Sequence, residues 1–363
     1  MLRLLGTTLV FFAVNIIYAQ FLTVEATLTS SINESSGLVW VNGRLITHND
    51  SSNDAQLFEI NEADGSIERI VTIQNAANVD WEDVATDGTY IYIADIGNYT
   101  GDRTDLKVYR VSISDYMIQS EVNAEVINFN YSDQTSFPGV PFNTNFDAEG
   151  LIHYNNTLYI FTKNWLDGNT NVYELPKTPG NYSINKIDTI EAQGLISGAT
   201  MSTASNSVLL SGYDLNGAFV IHLSDFSNGL FSNGSFDKIN LEIPIGFSEQ
   251  IEGITSYETD AYYLSSEEQN GNIAALYTFN TNTLTTEHND VESLTFYPNP
   301  AYDAIYINVP NTRVEIFDVL GQLVLSSKSK KVSLSQLKAG VYLIRLSDKN
   351  RTISKRLLVK NSE

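Results

Sequence analysis

The chain has 363 residues, room for one large domain and one small one, with no cysteine and four histidines. Disulfides and thiolate metal sites are thereby excluded, so any metal has to be held by oxygen or imidazole. A net charge of −22 disfavours nucleic acid and anionic lipid as partners and permits cations, neutral glycans or basic proteins; solubility in a salty medium explains the charge equally well.

Residues 1–19 have the layout of a secretory signal. Arg3 gives a positive start, Leu4 to Ile17 an apolar run interrupted by Gly6, Thr7, Thr8 and Asn15, and Tyr18-Ala19 before Gln20 a small-residue cleavage site. As an anchor the run falls short of the roughly 20 residues that span a bilayer. No later segment is apolar enough to add a span. The mature chain is therefore expected outside the cytoplasm without a transmembrane anchor.

Charge divides the remainder. Gln20 to Glu292 carries 38 acidic and 9 basic residues, a net of −29, whereas Ser293 to Glu363 carries 11 basic and 5 acidic, a net of +6. The acidic part, residues 20–292, shows no sustained helical period. It has short runs rich in Val, Ile, Tyr, Phe and Thr between Asn, Asp, Gly and Ser, an all-β pattern. One opening phrase recurs five times: Ser36-Gly37-Leu38-Val39, Glu82-Asp83-Val84-Ala85, Glu149-Gly150-Leu151-Ile152, Ser197-Gly198-Ala199-Thr200 and Glu252-Gly253-Ile254-Thr255.

After each phrase come a second strand (Arg44 to Thr47, Tyr90 to Ala94, Thr157 to Phe161, Ser207 to Leu210, Ala261 to Leu264) and a third (Gln56 to Ile60, Leu106 to Val111, Asn171 to Leu175, Ala218 to Leu223, Ala274 to Phe279). Four antiparallel strands repeated at about 40 to 55 residues is the period of β-propeller blades, which stack around an axis because one sheet cannot bury both faces alone. Five blades are expected. A sixth would have to come from Glu121 to Phe146. Phe21 to Thr29 has strand composition without the phrase and is expected to close the ring by pairing into the last blade, removing a free edge.

From Leu294 the chain reads Phe296-Tyr297-Pro298-Asn299-Pro300-Ala301, then Val314-Glu315-Ile316-Phe317-Asp318-Val319-Leu320-Gly321-Gln322, then Leu334-Ser335-Gln336-Leu337-Lys338-Ala339-Gly340-Val341-Tyr342, and ends Lys355-Arg356-Leu357-Leu358-Val359-Lys360. These landmarks resemble the type A C-terminal sorting domain of the type IX secretion system. The resemblance implies passage across the outer membrane of a Gram-negative bacterium, recognition of residues 293–363 by the type IX secretion machinery, and release or surface attachment. Independently, alternation over 304–309, 313–317, 322–325, 341–346 and 353–359, with Gly321 and Gly340 in turns, predicts a small β-sandwich.

Propeller geometry turns the repeat into a site prediction. The first strand of each blade lines the channel, and its start shares one face with the loop leaving the second strand. That mouth gathers Glu82, Asp83, Asp147, Glu149 and Glu252 from the phrases and Asn49, Asp50, Asp95, Asn98, Asp214, Glu267 and Glu268 from the loops. Two carboxylates about 6 Å apart repel by roughly 3 kcal/mol at an effective dielectric near 20. A cluster therefore needs hydrogen bonds, shared protons or a cation. Oxygen-only ligands suit calcium, and a Ca²⁺ ion is expected on Glu82, Glu149 and Glu252, assisted by Asp95 or Asn98. In the competing structural reading the glutamates accept backbone N–H groups of the next blade and the glycines permit close packing.

The Glu-Gly phrase followed by Leu158-Tyr159-Ile160, and Asp95-Ile96-Gly97-Asn98, resemble fragments of the senescence-marker-protein/gluconolactonase and related calcium-dependent propellers. Where that family has Pro after Glu-Gly, this chain has Leu151 or Ile254. Trp81, Tyr99, Trp165 and Tyr213 are expected at the same mouth, where aromatic rings beside carboxylates grip a sugar; wedging between blades is the alternative for them. Ligand contacts are thus expected from Trp81, Asp83, Asp147, Trp165, Tyr213, Asp214 and Glu267. His48, His153, His222 and His288 are isolated, and no nucleophile-elbow, phosphate-loop or paired-histidine zinc pattern occurs. Three functions remain open: a secreted or surface propeller binding a glycan or protein, a calcium-dependent hydrolase of lactones, phosphoesters or glycosides, and a structural surface component.

Overall fold

A computed structural model describes residues 19–248, 250–281, 296–307, 312–318, 322–347 and 352–360. Of the segment 1–19 expected to be a secretory signal, residues 1–18 lie outside the described residues, as does Gly321. The chain divides into two compact units, Met1–Leu284 and Thr285–Glu363.

The first unit contains five sheets whose innermost strands are Ser35–Val41, Trp81–Thr86, Ala148–Tyr154, Leu195–Ser202 and Ile251–Glu258. Each begins at one of the five phrases. The second strands, Arg44–Asn49, Tyr90–Asp95, Thr157–Thr162, Ser207–Asp214 and Ala261–Ser266, pair antiparallel with them as the spacing predicts. The third strands follow in the same order, beginning with Gln56–Ile60 and ending with Ala275–Asn280.

Neighbouring innermost strands pack against one another in chain order, and the fifth packs on the first. Five apolar layers fill the spaces between sheets, one for each neighbouring pair. Val39, Leu57, Trp81 and Ile93 occupy the first space, and Leu38, Phe58 and Leu276 the one joining fifth sheet to first. This is a β-propeller: each sheet buries both faces because it has a neighbour on each side.

Outer strands come partly from elsewhere in the chain. Thr23–Thr27 pairs antiparallel with Ala275–Asn280, the expected closure, and Ala19–Phe21 pairs parallel with Ser235–Glu242 of the fourth sheet. The stretch that would have supplied another blade is divided. Glu121–Val122 joins the first sheet, Glu125–Tyr131 is an outer strand of the second, and residues 132–147 form a long loop.

At the axis the backbones are too close for side chains. A Cβ on Gly198 would lie 2.2 Å from the carbonyl oxygen of Glu252, and one on Gly37 would lie 2.9 Å from Cα of Asp83. Each innermost strand also carries a register shift at its start, between Ser35 and Gly37, Trp81 and Asp83, Ala148 and Gly150, Ile196 and Gly198, and Ile251 and Ile254. Bulges of this kind re-aim a side chain. Here the bulged residues are Ser36, Glu82, Glu149, Ser197 and Glu252.

The second unit is a small sandwich. One sheet joins Phe296–Tyr297, Ala304–Ile307 and Lys331–Ser333; the other joins Leu323–Ser327, Arg313–Phe317, Gly340–Ser347 and Thr352–Val359. Their inward residues, among them Ile305, Val314, Ile316, Val332, Ile344 and Leu357, share one core. Gly340 opens a strand rather than forming the predicted turn.

Candidate functional site at the acidic mouth

The starts of the innermost strands and the loops after the second strands converge on a cavity of about 450 Å³. Its walls include Asp50, Asp80, Glu82, Asp147, Glu149, Glu252 and Glu267, faced among the described residues by a single cation, Lys163. The bulge explains the arrangement. The serines at this position, Ser36 and Ser197, donate to carbonyls of the next strand, those of Glu82 and Ile251, whereas the glutamates line the opening.

Glu82 is the junction of the cluster. Its carboxylate belongs to two groups whose ligand oxygens lie within 4.8 Å of one another, Asp50–Asp80–Glu82 and Glu82–Asp147–Glu149. Gly97 leaves the room for this: a Cβ there would meet Glu82 Oε1 at 2.0 Å and Asp80 Oδ2 at 2.4 Å. Asp147 accepts from the backbone N–H of Asn98 at 2.5 Å and from Trp165 Nε1 at 2.7 Å. Glu149 takes the Lys163 ammonium at 2.9 Å, both side chains being buried. The same ammonium lies 5.2 Å from the ring centres of Trp165 and Tyr213. Both carboxylate oxygens of Glu252 are buried without a hydrogen-bond partner among the described residues.

Crowded, poorly hydrated carboxyls resist ionisation. Burial pushes Asp80 and Glu252 up to about 7 and Glu267 up to about 10. At Glu82 burial and then Glu149 raise the carboxyl well above its usual range; at Glu149 burial does so against the opposing pull of Lys163. Burial works against the Lys163 charge, but Glu149 and Glu252 outweigh it and hold the ammonium protonated.

Several predicted site residues lie elsewhere. Asp95 is fully buried in ion pairs with Arg103 at 2.8 Å and Lys107 at 3.5 Å, so its oxygens are already committed. The Asn98 side chain donates to the Phe146 carbonyl and accepts from the Arg103 N–H. Both side chains are thus engaged by groups of the protein itself. Trp81 is a wedge between the first and second sheets, edge-on to His48 and beside Tyr109, with Nε1 donating to Ala77. Asp83 is buried at the axis, accepting N–H groups of Val84, Leu151 and Ala199. Asp214 pairs with Lys238 at 2.9 Å, away from the cavity. Glu252 lies at the cavity but in neither close-spaced group, so the three glutamates expected to share one ion do not form a triad; Asp147 takes that place.

Lys163, Asp80, Gln250 and Phe142 escaped the sequence reading. Asp80, Asp147 and Gln250 stand two residues before Glu82, Glu149 and Glu252, so starting the phrase two residues earlier would have found two of them. Lys163 follows directly on its second strand, in the loop set already assigned to the mouth. A second cavity, about 680 Å³, opens at the other end of the innermost strands. Its carboxylates are Asp87, tied to Lys177 at 2.8 Å, and Glu258, so it lacks a convergent cluster.

Fold and tail together define an exported β-propeller. Residues 295–360 match the family model described as the secretion system C-terminal sorting domain, and the tail is the sorting domain of a type IX cargo, directing the chain to the cell surface or out of the cell. The chain is 32% identical over 116 residues to an endo-acting ulvan lyase of Formosa agariphila, a match covering 26% of this chain and 22% of that protein, so it spans about a fifth of that relative's length. Among solved structures it is similar to the PQQ-bound aldose sugar dehydrogenase of Streptomyces coelicolor (11% identity, 71% of this chain and 97% of that one, TM-score 0.40). It is also similar to PorZ, a surface component of the type IX secretion system of Porphyromonas gingivalis (12% identity, 90% and 45%, TM-score 0.33). Likenesses this distant assign no activity. No helix among the described residues is long and apolar enough to cross a membrane.

Proposed function

We propose that this exported propeller is a binding module whose acidic mouth holds a divalent cation, calcium before others, and presents it beside an aromatic wall to a glycan. The observation that carries the reading is the Glu82 carboxylate shared between two groups of close-spaced oxygens. The partnerless oxygens of Glu252 at the same cavity add to it. Hard, flexible oxygen ligands without sulfur or imidazole favour Ca²⁺ over zinc or copper. Asp50, Asp80, Glu82, Asp147 and Glu149 would hold the ion. Titration calorimetry of the chelator-treated full chain should show Ca²⁺ binding that Glu82→Gln abolishes. Absence of both binding heat and a rise in melting temperature with Ca²⁺ would sink the proposal.

A second reading, a hydrolase, is favoured by one specific observation. Asp80 and Glu252 sit in an open cavity with burial pushing their carboxyls to about 7, the range of a general acid near neutral pH. Turnover of a lactone, phosphoester or glycoside panel, lost in Glu82→Gln or Glu149→Gln, would establish it. A silent wild type leaves binding.

A further inference from the structure

The part of the mouth beyond the two close-spaced groups has its own chemistry. Glu252 is 3% exposed, lines the cavity, and has two buried carboxylate oxygens that accept no well-formed hydrogen bond among the described residues, although the Lys163 charge and the Gln250 side chain favour its ionised form. A buried carboxylate is costly to keep unpartnered, so such a group is an acceptor set aside for a donor from outside. Lys163 bonds Glu149 at 2.9 Å and acts on Glu252 through its charge alone, leaving the Glu252 oxygens without an ammonium in hydrogen-bond reach. It does show what this environment accommodates, a primary ammonium between carboxylates and the rings of Trp165 and Tyr213.

Beside this acceptor stands a row of rings. Tyr99 meets Phe142 at 5.8 Å between centres, and Phe142 meets Trp165 at 4.6 Å. Tyr99 and Phe142 are 47% and 56% exposed, so they are rim rather than core. A flat apolar wall next to carboxylates matches a ligand with an apolar C–H face and polar or charged donors along its edge. Seven carboxyl groups face one ammonium here, so the mouth offers a cationic sugar many acceptors and an anionic one almost no donor charge.

We infer that the mouth recognises a cationic glycan, a sugar ring bearing a free primary ammonium, with the ammonium on Glu252 and the ring face on the Phe142–Trp165 wall. This rests on the glycan-binding reading above but not on calcium, because Glu252 lies outside both close-spaced groups.

The test is calorimetry of the full chain, chelator-treated and Ca²⁺-loaded, with three probes: a β-1,4-linked glucosamine hexamer, its fully N-acetylated counterpart, and spermidine. A charge-assisted hydrogen bond predicts binding of the glucosamine hexamer roughly ten-fold or more tighter than its acetylated form. Glu252→Gln should remove that difference while the chain still unfolds in one cooperative transition, and Trp165→Ala should weaken the hexamer without changing spermidine. Equal binding of free and acetylated hexamers overturns the inference, as does spermidine binding as tightly as the hexamer. If Ca²⁺ binds and no probe does, the cation reading survives and this one fails; if only the acetylated hexamer binds, the glycan reading survives and this one fails. Should Glu252→Gln not fold, the comparison of free and acetylated hexamers on the wild type still decides.

Discussion

Asp83 is the exception among five equivalent axis positions, the others being Gly37, Gly150, Gly198 and Gly253. Its carboxylate accepts N–H groups from Val84 at 2.8 Å, Leu151 at 2.7 Å and Ala199 at 3.2 Å, tying the second sheet to the third and fourth. Truncation leaves those donors buried and unpaired, at about 1–3 kcal/mol for each that finds no water. Asp83→Ala should therefore lower the unfolding free energy by at least about 2 kcal/mol in chemical denaturation, with Asp83→Asn losing less because an amide oxygen still accepts. An unchanged midpoint for Asp83→Ala would show that the carboxylate pins nothing. Lys163 gives a different signature. Removing one member of a buried ion pair typically costs about 3–5 kcal/mol. In Lys163→Met the charge left behind is Glu149, already raised well above its usual range by burial. A carboxyl whose folded pKa exceeds its unfolded value favours folding at low pH and loses that advantage as pH rises. The variant should accordingly be destabilised more at pH 8 than at pH 5, and a pH-independent loss would refute the account.

At the level of elements, the bulge at the start of each innermost strand is what converts a repeat into a site. It turns Glu82, Glu149 and Glu252 toward one opening, while Ser36 and Ser197 stitch neighbouring strands. The tight axis allows no relief from overpacking. Gly198→Ala places a Cβ against the Glu252 carbonyl, backbone against which no flexible side chain can yield. Overpacking of this kind costs about 1–3 kcal/mol, and the substitution is expected to lower the melting temperature measurably and weaken ligand binding at Glu252. A variant as stable as wild type would mean that the innermost strands separate easily. The phrase and the strand pattern were legible because period-two alternation is a local property of the chain. The bulge was not, since it is a relation between two strands, and this is why Asp83 read as a mouth residue and proved to be buried among backbone N–H groups of neighbouring strands.

For the whole molecule, the large negative charge is not evenly spread in effect. A few of its acids are locked in ion pairs, such as Asp95 with Arg103 and Lys107 or Asp87 with Lys177, while the mouth concentrates carboxyls that resist ionising. Asp80 and Glu252, raised to about 7, and Glu267, raised to about 10, all have folded values above the ordinary carboxylate range. Their contribution to stability is full below about pH 4 and is lost as pH rises, through about 7 for Asp80 and Glu252 and on towards 10 for Glu267, every tenfold weakening of a carboxyl's acidity on folding being worth about 1.4 kcal/mol. Chelator-treated protein should thus melt lower at pH 8 than at pH 5.5, with Ca²⁺ restoring most of the difference at pH 8. A metal-free melting temperature that climbs from pH 5.5 to pH 8 would contradict the clustering.

Composition and local pattern by themselves determined the all-β class, the five phrases, the closing strand at Thr23–Thr27 and the sorting tail, because each is written in contiguous residues. Which acids share a cavity was decided only by the tertiary structure. Asp95 and Glu82 are equally acidic in the chain, yet one lies between two cations and the other between carboxylates. The neighbours that folding sets alongside, Arg103 and Lys107 for Asp95 but Asp50, Asp80, Asp147 and Glu149 for Glu82, and not the side chain itself, decide whether a charge is neutralised or left to receive a ligand.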